Sequence, residues 1–287
     1  MNTVYHECSD KYSRAIVIGD VHGCPDEVDE LLRTCDFKKG RDRLIFLGDL
    51  VDRGYDSAGA VAKVRELQAE CTFSNHEEKM LRFRGAYRKW RTKGSKSSEM
   101  PLFLTESQVK IFFSIPDEDW DWLEQRPARI EITPHLWAVH AGFEPGTKWE
   151  DQEKAKMIRI RYVDHKGKWD LDDPYWTTPT GGGYFWSEGW RGPQSVIYGH
   201  STWSEPRLDV HRDDTTGEVI SWCLGIDTGC VYGDSLSSVI VDLTDATKPS
   251  EVVQVKARST YYKEPVVVES KGKKTNKNNH KQRRFDY

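Results

Sequence analysis

Arg14-Ala-Ile-Val-Ile-Gly-Asp-Val-His-Gly23 reads as a short apolar strand, closed by glycine and followed at once by an acid and a histidine in a glycine-flanked turn. Arg43-Leu-Ile-Phe-Leu-Gly-Asp-Leu-Val-Asp-Arg-Gly54 repeats the form after a helical stretch, Asp26 to Arg33. This is a βαβ opening and sets the class as α/β. A helix predicted over Ser57 to Glu70 has Ala58, Val61, Ala62, Val64 and Leu67 on its apolar positions, and it leads to a third short strand, Cys71 to Phe73, with Asn75-His-Glu77 just beyond. Each polar motif falls past a strand end. In open α/β sheets the chemistry sits there, because the loops at the carboxyl ends converge on one crevice.

Further strands are predicted at 128–132, 136–139, 195–198, 220–226, 237–243 and 251–255. Between the third and fourth strands, residues from about 84 to 127 read as a helical insertion anchored by Ile111-Phe-Phe113 and by Trp120 and Trp122. Residues from about 143 to 193, rich in Gly, Pro and Trp, read as a loop-rich cap. A length of 287 residues suits one catalytic domain, 1–264, followed by a basic tail, 265–287, that needs no fold. From Ser270 onward the tail holds seven Lys or Arg against Asp286 alone, so a chain of net charge -4 divides into an acidic body and a basic end. That end is a candidate contact for polyanions. No apolar run has the roughly 18 residues of a membrane span, and the N-terminus lacks a secretory layout, so a cytoplasmic protein that does not enter membranes is expected. Six cysteines without a CxxC pair exclude a thiolate zinc site and a disulfide framework; they are read as reduced and mostly buried.

Divalent ions of hard or borderline character take oxygen and imidazole ligands, and Asp20, His22, Asp49 and Asn75 offer that mixture. His140, after Trp137-Ala-Val139, and His200, after Val196-Ile-Tyr-Gly199, stand where strands deliver ligands to the same rim. Either histidine alone reads as a buried structural residue; the ordered set reverses that.

The ordered motifs, with Val139-His-Ala-Gly142, Tyr198-Gly-His200 and Gly225-Ile-Asp-Thr-Gly-Cys230, resemble the phosphoprotein-phosphatase superfamily of calcineurin-like metallophosphoesterases. Within it they look like the ApaH-like bacterial branch of symmetrical dinucleoside tetraphosphatases and phage-type Ser/Thr protein phosphatases, and the likeness spans Arg14 to Leu243. It implies a four-layer α/β/β/α sandwich with two divalent ions, manganese first among Mn, Zn, Fe, Co and Ni. Asp20, His22 and Asp49 would hold one ion, and Asp49, Asn75, His140 and His200 the other. Two such ions lower the pKa of water enough to supply the nucleophile near neutral pH. The resemblance further implies that His76 protonates the leaving oxygen, that Asp52 orients it and favours imidazolium, and that Arg53 binds phosphate. A second phosphate-binding arginine is expected from the cap, among Arg159, Arg161 and Arg191, with Arg161 preferred.

The resemblance carries glycine before Asn-His, where this chain has Ser74. If that position needs a left-handed backbone, serine adds about 1 kcal/mol of strain or more and weakens the second ion. Glu77, Glu78 and Lys79 are expected on the solvated face of a helix start. The cap tryptophans Trp149, Trp169, Trp176, Trp186 and Trp190 are expected to pack together, with one of them able to stack on a nucleobase.

The expected reaction is hydrolysis of a phosphate ester or anhydride. The C-terminal motifs and the aromatic cap incline the reading toward dinucleoside polyphosphates such as diadenosine tetraphosphate. The alternatives are a Ser/Thr phosphoprotein phosphatase, a polyphosphatase or RNA 5'-end phosphatase, and a non-catalytic scaffold binding polyanions through Lys271, Lys273, Lys274, Arg283 and Arg284. The complete ligand set speaks against the scaffold.

Overall fold

A computed structural model describes residues 12–94, 101, 103–169, 183–244 and 251–263. Cys8, Trp176 and the basic tail expected to contact polyanions lie outside the described residues. The elements are β1 (Arg14–Ile18), α1 (Pro25–Thr34), β2 (Asp42–Phe46), α2 (Ser57–Glu66), β3 (Glu70–Cys71), α3 (Asn75–Thr92), α4 (Glu106–Ser114), α5 (Asp117–Glu124), β4 (Arg129–Thr133) and β5 (Leu136–Val139). They continue as α6 (Lys154–Met157), β6 (Tyr162–Val163), β7 (Tyr184–Phe185), α7 (Trp186–Gly189), β8 (Ser195–Tyr198), β9 (Arg207–Arg212), β10 (Val219–Gly225), β11 (Ser235–Asp242) and β12 (Glu251–Lys256).

Two five-stranded sheets form, in the orders β12-β11-β1-β2-β3 and β4-β5-β8-β10-β9. β1, β2 and β3 run parallel, as do β5, β8 and β10, while the outer strands of both sheets pair antiparallel except at β3. The strand period of two assigns each apolar side chain to a layer. Ala15 and Val17 of β1 and Val239 and Val241 of β11 face Leu136 and Ala138 of β5, Ile197 of β8 and Trp222 and Leu224 of β10, which makes the core between the sheets. Ile16 and Ile18 point the other way, against Val28 and Leu31 of α1, Val61 and Val64 of α2, and Phe112, Trp120 and Leu123 of the later helices. On the far face of the second sheet, Trp137, Val139, Val196 and Tyr198 meet Phe185, Trp186 and Trp190 of the cap. Helices therefore flank the paired sheets on both sides, although among the described residues the outer layer over the second sheet is thin, with only the one-turn helices α6 and α7. Burial of each such aliphatic or aromatic side chain contributes about 1.5–3 kcal/mol.

Several sequence expectations shift. The helix predicted to Glu70 ends at Glu66, because Gln68 takes a left-handed φ of 55° and Glu70 joins β3. Helix starts at Asn75 rather than beyond it: α3 buries His76, Glu77, Met80, Phe83 and Arg84, an i, i+3, i+4 stripe, so the helical segment placed from about 84 continues one already under way. The sequence reading missed β9, whose exposed and half-buried residues dominate, and the short β6–β7 pair inside the cap. Cys24, Cys35, Cys71, Cys223 and Cys230 are free and buried, as expected. Among the described residues no helix is long and apolar enough to cross a membrane.

Candidate metal centre and active site

The turns after β1, β2, β5, β8 and β10 meet at one edge of the sandwich. Their backbones are strained there: among the described residues, five of the seven non-glycine positions with positive φ are His22, Asp49, Asp52, Arg53 and His200. Such conformations persist only where the surroundings over-determine them. Gly199 is required next to them, since a Cβ there would lie 2.1 Å from Asp20 Oδ1.

Asp49 is the centre. Its Oδ2 lies 3.3 Å from His22 Nε2 and 3.8 Å from His76 Nε2, while Oδ1 lies 3.5 Å from His140 Nε2. Donor atoms of His22, Asp49 and His76 fall within 4.8 Å of one another, and so do those of Asp49, His140 and His200. The imidazoles are held by backbone oxygens that leave one ring nitrogen to face the centre: His22 Nδ1 donates to Val51 O at 3.0 Å and His140 Nδ1 to Leu47 O at 2.7 Å. His200 uses Nε2 instead, donating to Arg159 O at 3.1 Å, so its Nδ1 is the available atom.

The donor set fits divalent cations. Burial pulls the His22 pKa down to about 3 against the pull of Asp49, and burial likewise lowers His140 and His200, which keeps all three neutral as ligands must be. Burial raises Asp49, but the surrounding imidazoles outweigh it and hold the carboxyl well below the usual range. Burial, with Asp227 and Asp49 nearby, pushes Asp20 well above that range, a crowding of negative charge that a cation relieves. With Nδ1 of His140 committed to Leu47, its Nε2 lone pair faces Asn75 Oδ1 at 2.8 Å, two acceptors turned toward each other.

Asp20 turns both oxygens to the backbone N–H of His200, at 3.1 and 2.9 Å, and the donor atoms of His76 lie close to those of His22 and Asp49. Arg53 Nη1 donates to His22 Nε2 at 3.2 Å.

His76 Nδ1 donates to Asp52 Oδ2 at 2.8 Å, so its Nε2 points at the centre. Asp52 is clamped on every side: Oδ2 also accepts from Gln108 Nε2 at 2.8 Å, Oδ1 accepts from Arg53 N at 2.9 Å, and its own N–H donates to Ser57 Oγ. Burial opposes its ionisation, but the bonds from His76 and Gln108 hold its pKa below the usual range.

Ser74 departs from expectation. Its φ is −133° and ψ 174°, extended backbone, so serine adds no left-handed strain. The position that needs glycine is Gly48, where φ is +87° and a Cβ would lie 2.7 Å from Ser74 Cβ. Ser74 Oγ accepts from Asp49 N at 3.0 Å, lies 2.5 Å from Asp49 Oδ1 and bonds to Glu77 Oε2. Glu77 is not on a solvated face: it is 2% exposed, and its Oε1 accepts from Leu50 N and Val51 N at 2.8 and 3.1 Å. Burial and Asp49 raise its pKa to about 8, against those two bonds. The signal that could have found it was the spacing 77, 80, 84 along one helical face. Gln108 and Asp227 were also missed. Asp227, just past β10, accepts from Thr202 Oγ1 at 2.8 Å and bears electrostatically on Asp20 and Arg53.

The three candidate cap arginines separate. Arg161 Nη2 donates to His200 O at 3.0 Å, beside the centre. Arg159 pairs with Glu78. Arg191 turns away, bonding Glu188 O, Trp190 O and His211 Nδ1.

Face-to-face sheets whose strand ends gather two imidazole groups around one shared carboxylate define a class, the metal-dependent phosphoesterases. The chain belongs to the calcineurin-like phosphoesterase family, whose family model matches residues 13–235. It is 26% identical to the asymmetrical bis(5'-nucleosyl)-tetraphosphatase PrpE of Oceanobacillus iheyensis, over 77% of this chain and 86% of that one. It is also 26% identical to the symmetrical bis(5'-nucleosyl)-tetraphosphatase of Coxiella burnetii, over 80% and 89%, and 29% identical to serine/threonine-protein phosphatase 1 of Salmonella typhimurium, over 56% and 75%. Among solved structures, that of a protein assigned as a diadenosine tetraphosphatase superposes with a TM-score of 0.63 at 26% identity, covering 85% of this chain and 94% of that one. The chain is thus a metal-dependent phosphoric ester or anhydride hydrolase.

Proposed function

We propose that the protein hydrolyses dinucleoside polyphosphates, diadenosine tetraphosphate among them, in a cytoplasmic setting, with two divalent ions of which manganese is the first choice. The observation that carries the two-ion reading is the division of Asp49, one oxygen toward His22 and His76 and the other toward His140. Asp20, His22 and Asp49 would hold one ion, and Asp49, Asn75, His140 and His200 the other. When bound, the ions supply an activated water and a positive counterweight to charge developing on the phosphoryl oxygens.

The chain's own residues do the rest. Arg53, beside His22 Nε2, binds the phosphate, and Arg161, braced on His200 O, binds a second oxygen. His76 holds a proton at Nε2 and passes it to the leaving oxygen, its ring fixed by Asp52. The nucleotide preference is supported by the tetraphosphatase relatives. Phosphoprotein hydrolysis is the second reading, supported by the likeness to the Salmonella phosphatase.

The test is hydrolysis by purified protein with Mn, Zn, Co or Mg added in turn, against diadenosine tetraphosphate, a phosphopeptide and inorganic polyphosphate, with His76→Ala as control. Metal-dependent turnover of the dinucleotide above the other two, lost in His76→Ala, is expected. Faster phosphopeptide turnover moves the assignment to the second reading, and no turnover with any metal removes both.

A further inference from the structure

Two of the cap tryptophans pack into the cap as expected. Trp186 and Trp190 are buried in the cap core, and Trp149 lies under Arg129, whose guanidinium carbon is 4.6 Å from its ring centre. Four tyrosines, Tyr55 exposed and the others half-buried, gather around Arg53. Tyr55, 48% exposed, follows Arg53 by two residues; Tyr232 comes from the turn after Cys230; Tyr261 and Tyr262 come from the segment after β12. The Arg53 guanidinium carbon lies 5.5 Å from the Tyr232 ring centre and 5.7 Å from that of Tyr262. Tyr55 and Tyr261 rings meet at 4.8 Å and Tyr232 and Tyr262 at 6.2 Å.

This arrangement is built rather than incidental. Tyr261 N and Tyr262 N both donate to Val231 O at 3.0 Å, and Ala257 N donates to Asp234 O at 2.8 Å. The buried carboxylate of Glu27 accepts from Arg258 N at 3.1 Å and from the Tyr261 hydroxyl at 2.6 Å, while the Tyr55 hydroxyl accepts from Asp26 N at 3.1 Å. Tyr261 and Tyr262 lie beyond the family match, which ends at residue 235, while Val231 and Glu27, which fasten them, lie within it.

We propose that this tyrosine cluster, completed by Tyr262, is the site for the nucleoside moiety of a nucleotide polyphosphate whose phosphates are held at the metal centre. The inference rests on the nucleotide reading above and deepens it. Arg53 joins the two halves, since one end of its guanidinium is 3.2 Å from His22 Nε2 and its central carbon is 5.5 and 5.7 Å from two ring centres. A nucleobase has a π-face that stacks on aromatic rings, whereas the phosphoserine side chain itself carries no ring.

The test is calorimetric binding of adenosine 5'-monophosphate and of ribose 5-phosphate to the manganese-loaded full chain, so that the base alone differs. The monophosphate should bind about tenfold tighter or more, the ratio should fall toward one in Tyr262→Ala, and it should persist in Tyr262→Trp. Equal affinities in the unaltered protein, an unchanged ratio in Tyr262→Ala, or failure of adenosine 5'-monophosphate to bind overturns the proposal. Hydrolysis of diadenosine tetraphosphate is scored separately. A sound ratio without that hydrolysis removes the substrate reading and keeps the site; hydrolysis with a ratio of one removes the site and keeps the reading.

Discussion

Gln108 donates from Nε2 to Asp52 Oδ2 at 2.8 Å while its Oε1 accepts from Thr105 N at 3.1 Å, so one side chain both closes the capping box of α4 and braces the acid that orients His76. Loss of a hydrogen bond to a charged group amounts to about 1.5–3 kcal/mol. Gln108→Leu should therefore lower kcat about tenfold or more with KM little changed, which steady-state kinetics on the preferred substrate would read. A change in KM alone would mean that Gln108 does not act through His76.

Ser74 ties the backbone N–H of Asp49 to the Glu77 carboxyl. Removal leaves buried polar groups without their partner. Ser74→Gly should destabilise the protein by about 1–3 kcal/mol in urea unfolding and weaken manganese binding, although glycine is what the family resemblance carries there. Tighter metal binding in Ser74→Gly would contradict this.

Asp49 lies in both groups of donor atoms. Manganese at 100 times its dissociation constant stabilises a native protein by about 2.7 kcal/mol for each site. Asp49→Asn should lose that metal-induced rise in Tm for both sites together, with hydrolysis lost as well. Retention of half the rise would show that one site forms without the shared carboxylate.

Arg161 and Arg191 should behave differently, because the first is bonded to His200 O and the second to His211 and two cap carbonyls. Arg161→Ala should reduce kcat/KM by about tenfold to a hundredfold, whereas Arg191→Ala should stay within about twofold. The reverse order would move the second phosphate contact to Arg191.

The metal-free protein should have a stability maximum between about pH 4.5 and 6.5. Glu77 is raised from 4.5 to about 8 by burial and Asp49, so its contribution is complete below about 4.5 and is lost as pH rises through about 8. Asp20, raised by burial and its acidic neighbours, acts in the same direction. His22, lowered from 6.5 to about 3 by burial, contributes above about 6.5 and loses that contribution as pH falls through about 3. Each group adds a slope of up to about 1.4 kcal/mol per pH unit. Urea unfolding with a chelator present should show both limbs, and Glu77→Gln should flatten the alkaline one. An alkaline limb of the same steepness in Glu77→Gln would show that Glu77 is ionised in the fold.

Asp20, His22, Asp49, Asn75, His140 and His200 could be named as candidates because each follows a short apolar strand run, with glycine beside Asp20, His22, Asp49 and His200. Strand periodicity likewise determined the α/β class and, in retrospect, which side chains of β1, β5 and β8 face which layer. Those are short-range properties of the chain. The tertiary structure alone decided which groups meet: Gln108 with Asp52 across 56 residues, Arg161 rather than Arg191 with His200 across 39, and Tyr261 with Glu27 across 234. Nothing local specifies such pairings, since they follow from strand order and helix docking. Glu77 shows the boundary most clearly. Its position in the first turn of a helix was readable, but its burial depends on the loop after β2 closing over that turn, and that closure turns a side chain expected in solvent into the buried support of Asp49.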